Sequence, residues 1–161
     1  MPVRARTANA RYDMILLDAF EADYIPEHML TKEFFEEVRS IMAPDAVLVA
    51  NTFSSSTLYN NESVTYRAVF GQFFNLKLGN RVIVTKLGGL PPVTEIRANA
   101  DKWEPKFHEL DTTEDFIYPL MTTSMDWDPA ARILTDQYSP SNVLNSMGRP
   151  SNDRSGQGEK E

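Results

Sequence analysis

The chain has 161 residues, no cysteine, a formal net charge of -7, and 42% hydrophobic against 24% charged residues. Without cysteine, disulfides, thiolate metal ligands and a cysteine nucleophile are excluded. The acidic balance disfavours nucleic acid as a partner, because phosphate recognition needs a basic face. This length buries roughly two thirds of the unfolded surface in one domain; no apolar run approaches the roughly 20 residues of a membrane span, and MPVRARTANA lacks the apolar stretch of a secretory signal. A soluble, cytoplasmic protein is the expectation.

Met14, Ile15, Leu16 and Leu17 are apolar without alternation, the pattern of a strand buried on both faces of a parallel sheet. Little sequence precedes them to supply neighbours. The expectation is therefore a partial domain, with this strand near a sheet edge and its apolar surface exposed or covered by a partner chain. The strand runs into the acidic loop DAFEADYIPEH. In open α/β sheets ligands bind beyond the carboxyl ends of the strands, and the three carboxylates there, Asp18, Glu21 and Asp23, point to a cationic ligand.

Thr31 then offers a helix N-cap, with Leu30 and Phe35 at hydrophobic-staple spacing. Phe34, Val38 and Ile41, with Phe35 and Met42 beside them, make one apolar helix face, and Pro44 and Asp45 stop it. Ala46 to Ala50 reads as a second buried parallel strand, completing a βαβ unit. A second helix is expected from about Glu62 to Phe73, capped by Asn60 or Asn61, with Tyr66, Val69, Phe70 and Phe73 on its apolar stripe. Phe74 to Leu78 and Arg81 to Leu87 read as strands joined by a two-residue type II′ turn at Gly79-Asn80. Beyond them, Val93 to Phe107 reads as helix with Pro105 near its end. Thr112 to Asn145, cut by Pro119, Pro129 and Pro140, is expected to form short helices packed on the core. The polar stretch from Arg149 to Glu161 is expected to be disordered.

The other chemistry-bearing residues fit bland roles better than catalytic ones. His28 and His108 share no metal-ligand spacing, so no metal is expected. Ser54, Ser55 and Ser56 lack the glycines of a nucleophile elbow and read as a loop hydrogen-bonded to itself. Tyr66 reads as core, Trp103 and Trp127 as a cover for the sheet, and Asp136 and Tyr138 as part of a structural closing segment.

The residues YDMILLDAF, IPEHMLTKEFFEEVRSIMAPDAVLVANTF and ARILTDQYSP together resemble the C-terminal half of the spermidine synthase-like proteins, the polyamine aminopropyltransferase family. The resemblance runs from about Tyr12 to Leu87 and resumes at Ala131. It implies an α/β chain: a partial Rossmann-like sheet of the class I methyltransferase type, with parallel strands ending in an antiparallel hairpin and short C-terminal helices. It divides the chain into an N-terminal segment (1–11), the domain half (12–148) and a tail (149–161).

The activity implied is aminopropyl transfer from decarboxylated S-adenosylmethionine to a diamine such as putrescine. Asp18 matches the family's catalytic aspartate, general base and anchor for the amine, with Glu21 or Asp23 as the second acidic residue that holds the cation. The family's glycine-rich nucleotide loop should lie upstream of Tyr12, where MPVRARTANAR contains nothing like it. The expected co-substrate is therefore decarboxylated S-adenosylmethionine, with no cofactor bound tightly. The expected partners are a small-molecule polyamine and either a second copy of the chain or a complementing N-terminal half. The alternatives are a noncatalytic remnant that pairs with another chain, and a methyltransferase-like protein using ordinary S-adenosylmethionine.

Overall fold

A computed structural model describes residues 11–18, 27–110 and 122–138. Among them, β1 (Tyr12–Leu17) pairs in parallel with β2 (Met42–Thr52). The hairpin of β3 (Phe74–Leu78) and β4 (Asn80–Lys86) joins β2 through β4. The order β1-β2-β4-β3 leaves β1, β2 and β3 running one way, with β4 turned back between β2 and β3. This is the mixed α/β, Rossmann-like arrangement expected from the sequence.

The helices α1 (Lys32–Ser40) and α2 (Tyr59–Phe70) connect β1 to β2 and β2 to β3. Thr31 caps α1 as expected, its Oγ1 accepting from the Phe34 amide at 3.3 Å, while Leu30 and Phe35 are both buried. The two helices pack on each other: the Phe35 and Tyr66 rings lie 4.2 Å apart, and Arg39 Nη1 donates to the Val69 carbonyl at 2.8 Å. Because strand side chains alternate between faces, Ala46, Leu48 and Ala50 of β2 and Ile83 of β4 meet Phe35, Val38, Leu58 and Tyr66 in one core. The opposite sheet face is less covered. On β1, Ile15 and Leu17 join the core, whereas Met14 and Leu16 are 56% and 67% exposed at the sheet edge, as expected of a strand whose two faces are both apolar.

Several boundaries differ from expectation. α1 ends at Ser40 and β2 already starts at Met42, so Met42 is not on the helix face and Pro44 and Asp45 lie within β2 and do not stop the helix. The register jumps from Tyr12↔Met42 to Met14↔Val47, and the irregularity accommodates Pro44, which has no ladder N–H to give. α2 starts at Tyr59, without a side-chain cap, and stops before Gly71 at φ 79°, a left-handed position suited to glycine. Asn60 and Asn61 are thus helical and bind elsewhere: Asn60 Oδ1 accepts from the Asp128 amide at 3.1 Å, and Asn61 Nδ2 donates to the Arg132 carbonyl at 2.8 Å.

The expected two-residue turn is replaced by pairing centred on Gly79 (φ 84°), with Lys77 opposite Arg81 and Leu78 opposite Asn80. A register shifted by one residue would put Arg81 and Asn75 on opposite faces, and these two are hydrogen-bonded in the interior. Residues 122–138 contain no helix and cross α1, α2 and β3 as irregular chain. Pro129 and the polar residues around it deny this segment a helical period, and its backbone finds partners on the elements it crosses. The rest of the region expected to hold short helices, and the 149–161 tail, lie outside the described residues. α3 (Val93–Glu109) forms where expected, but Trp103 on it is 55% exposed and does not cover the sheet. Trp127 is buried, stacked on Phe73 at 5.0 Å between ring centroids.

Arg81 is fully buried with its side chain shared among three partners. Nε donates to Asn75 Oδ1 at 2.8 Å, Nη2 to Ser63 Oγ at 2.7 Å, and Nη1 to Glu62 Oε2 at 3.3 Å. Glu62 Oε1 accepts from Thr52 Oγ1 at 2.6 Å. Burial pushes the Glu62 carboxyl above its ordinary range, opposed by the Arg81 charge and by the hydrogen bonds from Thr52 and Arg81. Breaking such a pair from one side strands the other charge. Arg81→Met should therefore destabilise the fold by about 3–5 kcal/mol, and the double variant Arg81→Met, Glu62→Leu should recover part of that loss. Urea midpoints of the two variants check this; equal losses would mean that the stranded carboxylate is not the cause.

Candidate active site

Leu17 pairs with Ala50, so the residues that follow them, Asp18 and Asn51, stand side by side where the parallel strands end. Asn51 Nδ2 donates to Asp18 Oδ1 at 2.9 Å, and Asp18 is exposed. The alternation of β2 makes this possible: Thr52 turns inward to Glu62, so Asn51 faces the opposite side. A buried hydroxyl and a half-buried amide on consecutive residues tie the rim of the site to the core. Beyond them, Ser54 Oγ donates to the Gly79 carbonyl at 2.6 Å, which fastens the β2–α2 loop to the hairpin. Ser56 closes the loop on itself, its Oγ accepting from the Leu58 amide at 3.0 Å and its carbonyl from the Tyr59 amide at 3.1 Å, as the sequence predicts.

A second polar group lies on the inner side of the same end. Tyr59 Oη donates to Asp126 Oδ1 at 2.7 Å, Asn75 Nδ2 donates to Tyr59 Oη at 2.9 Å and to Asp126 Oδ1 at 3.1 Å, and Lys77 pairs with Asp126. The Tyr59 ring carries two cations, Arg81 at 4.1 Å and Lys77 at 4.5 Å from its centroid. Partial burial pushes the Asp126 carboxyl up, but hydrogen bonds from Lys77 and Tyr59 outweigh it and hold the carboxyl below its ordinary value. Hydrogen bonds to Asp126 and Tyr59 raise the Lys77 ammonium.

Of the three carboxylates singled out in the sequence, Asp18 stands at the strand end; Glu21 and Asp23 lie outside the described residues. Sequence reasoning missed Asn51: its place directly after the apolar run Ala46 to Ala50 marks a strand end, but only the register of β1 and β2 sets it beside Asp18. It also missed Glu62 and Arg81, because a charge at an inward position reads as surface until its partner is known. His108 lies 3.6 Å from Glu104 on exposed α3; among the described residues no cluster of three or more His, Cys, Asp or Glu could hold a metal. Nor is any helix among them long and apolar enough to cross a membrane.

A βαβ unit with a carboxylate at its first strand end and a turned-back last strand make a mixed, Rossmann-like α/β sheet. Over 145 residues, 88% of this chain, the sequence is 46% identical to the polyamine aminopropyltransferase of Vibrio vulnificus (strain CMCP6), and the match covers 48% of that protein. The chain is thus homologous to the polyamine aminopropyltransferases, the spermidine synthase-like family it resembles, and spans about half the length of the curated relative it matches. It is also similar to a probable spermidine synthase from Corynebacterium glutamicum ATCC 13032, with 26% identity, a TM-score of 0.43, and coverage of 48% of this chain and 32% of that one. No family model matches the chain.

Because its folded carboxyl is held below the ordinary value, Asp126 contributes stability above the usual aspartate range and loses it as pH falls through the folded pKa. The pair with Lys77 is substantially exposed, so the contribution is at most about 1 kcal/mol. Asp126→Asn should therefore be less stable than wild type at neutral pH and lose less stability on acidification. Urea midpoints taken from about pH 6 down to about pH 3 would show converging curves; parallel curves would exclude Asp126 from the acid transition.

Proposed function

We propose that this chain supplies the amine-handling half of an aminopropyltransferase, which moves the aminopropyl group of decarboxylated S-adenosylmethionine to a diamine such as putrescine. The observation that carries this reading is the Asp18 carboxylate at the end of β1, oriented by Asn51 at 2.9 Å in a chain homologous to polyamine aminopropyltransferases. A diamine is mostly protonated near neutral pH, and its nitrogen attacks only after losing a proton. With Oδ1 held by Asn51, Asp18 presents Oδ2 to the attacking nitrogen, anchors the ammonium and accepts its proton. The new C–N bond forms as the C–S bond of the sulfonium breaks, and the sulfur keeps the electron pair and departs as methylthioadenosine. Glu21 and Asp23 hold the distal ammonium of the acceptor electrostatically. On this reading residues 12–148 form the C-terminal half of the domain, and nucleotide binding belongs to a further half lying against the exposed edge of β1.

A chimera in which this chain replaces the matched portion of the Vibrio vulnificus relative provides the assay. It should transfer aminopropyl groups to putrescine, and Asp18→Asn within it should lower turnover by roughly 100-fold or more, the usual range for loss of a general base. Glu21→Gln and Asp23→Asn should act mainly on the KM for the acceptor. Near-normal turnover in a folded Asp18→Asn chimera would remove Asp18 from the mechanism, and a folded chimera without transferase activity would overturn the proposed function.

A further inference from the structure

α3 has an order that neither the core nor the proposed site uses. Apart from Ala98, which shares the f position with Pro105, its apolar side chains are Val93, Ile96, Ala100, Trp103 and Phe107, followed by Leu110 at its C-cap. These recur at alternating steps of three and four residues, the a and d positions of a heptad seam. No residue of the helix is buried, and none of the six belongs to the core or to the half-buried residues packed against it. Val93, Trp103 and Leu110 are among the exposed large hydrophobics of the chain. Pro105 falls at the f position, opposite the seam, so its ring does not interrupt the apolar stripe. At 17 residues α3 is about 26 Å long, long enough for three pairs of seam layers.

We propose that this seam is a self-association surface, on which α3 of a second copy of the chain lies antiparallel. The charges and volumes select this occupant and orientation. Antiparallel packing sets Val93 against Leu110, Ile96 against Phe107 and Ala100 against Trp103 of the second copy. The largest seam residue then meets the smallest, twice, by the two-fold symmetry. The e positions are Arg97 and Glu104, and in an antiparallel pair each e faces an e of the other helix, which juxtaposes Arg97 with Glu104 of the second copy in two equivalent ion pairs. Parallel packing would set Trp103 against Trp103 and Ala100 against Ala100, and would bring Glu104 only to the uncharged Asn99 at a g position. The inference rests on α3 alone and is independent of the reading of Asp18.

Sedimentation velocity on the full 161-residue chain, across a wide concentration range, tests it. A monomer–dimer equilibrium is expected. Trp103→Glu, at an exposed position that leaves the fold intact by circular dichroism, should raise the dimer Kd by about tenfold or more, as loss of a central anchor does. Arg97→Glu and Glu104→Arg should each raise it by about threefold or more, and the double variant should return to within about twofold of wild type, because exchanging the charges restores both pairs. That recovery is a signature no merely structural role for α3 would produce. A chain that is monomeric at every concentration, or a dimer indifferent to Trp103→Glu, would overturn the proposal. So would a double variant no tighter than the single ones, or a Trp103 fluorescence maximum already blue-shifted in dilute monomer, which would show the seam covered by the chain's own remaining residues.

Discussion

The buried ion pair between Arg81 and Glu62 is the constraint on which the other parts of the fold depend. Removing two charges from water costs several kcal/mol per ion unless geometry and further hydrogen bonds compensate. Here Asn75 and Ser63 share the guanidinium, Thr52 takes the second carboxylate oxygen, and the Tyr59 ring lies against the cation. These partners come from α2 and from β2, β3 and β4. A one-residue slip of the hairpin, or a slide of α2 along its axis, would leave a charge unpaired in a low-dielectric interior. The pair therefore fixes relative positions that the apolar contacts alone, which are not directional, would leave loose. Beside this network the buried Tyr66 Oη finds no hydrogen-bond partner among the described residues, and its phenol is pushed far above its ordinary range by burial and by the Glu62 charge.

The same logic explains why residues 122–138 can lie on the domain without regular structure. Several of its backbone groups find specific acceptors or donors on the domain. The Asn75 amide donates to the Thr122 carbonyl, the Lys32 amide to the Leu134 carbonyl, and the amides of Leu134 and Asp136 donate to Thr65 Oγ1 and Glu33 Oε2. With Trp127 and Leu134 inserted into the core, the segment closes over α1, α2 and β3. Arg132, just ahead of the short loop that the Thr135–Tyr138 bridge closes, then stacks on Tyr138 at 3.6 Å from its ring centroid.

Elements defined by apolar periodicity were legible in the sequence. The strand at Met14 to Leu17, the start of α1 at its Thr31 cap, the run Ala46 to Ala50 and α3 all occur where period and punctuation put them, whereas the end of α1 does not: Pro44 and Asp45, read as its stop, lie inside β2. Elements defined by polar pairing were not. Asn60 and Asn61 look like caps because amide side chains at a helix start usually bind the helix's own backbone; here they bind residues some seventy positions further along. The turn at Gly79-Asn80 has the composition of a two-residue hairpin, yet a buried Arg81–Asn75 contact outweighs local turn preference. In the candidate site, Asp18 was legible from its place after an apolar run. Asn51 was not, because its role depends on the register between β1 and β2, which strand composition alone does not specify.

That register also decides which side of the sheet carries Asp18 and Asn51. Leu17 opposite Ala50 puts two core residues in line, so Asp18 and Asn51, one step further along their strands, both belong to the other face, shared with Met14, Leu16, Val47 and Val49. That face is covered only in part by the described residues, although the β1 sequence is apolar on both sides. A parallel pair is ordinarily buried on both faces; an aspartate at its rim becomes a base of controlled position only when something covers the apolar surface beside it and excludes water from the reacting nitrogen. On the proposed function, the polypeptide that covers this face also brings the sulfonium donor to Asp18, so completing the hydrophobic surface and completing the active site are a single event.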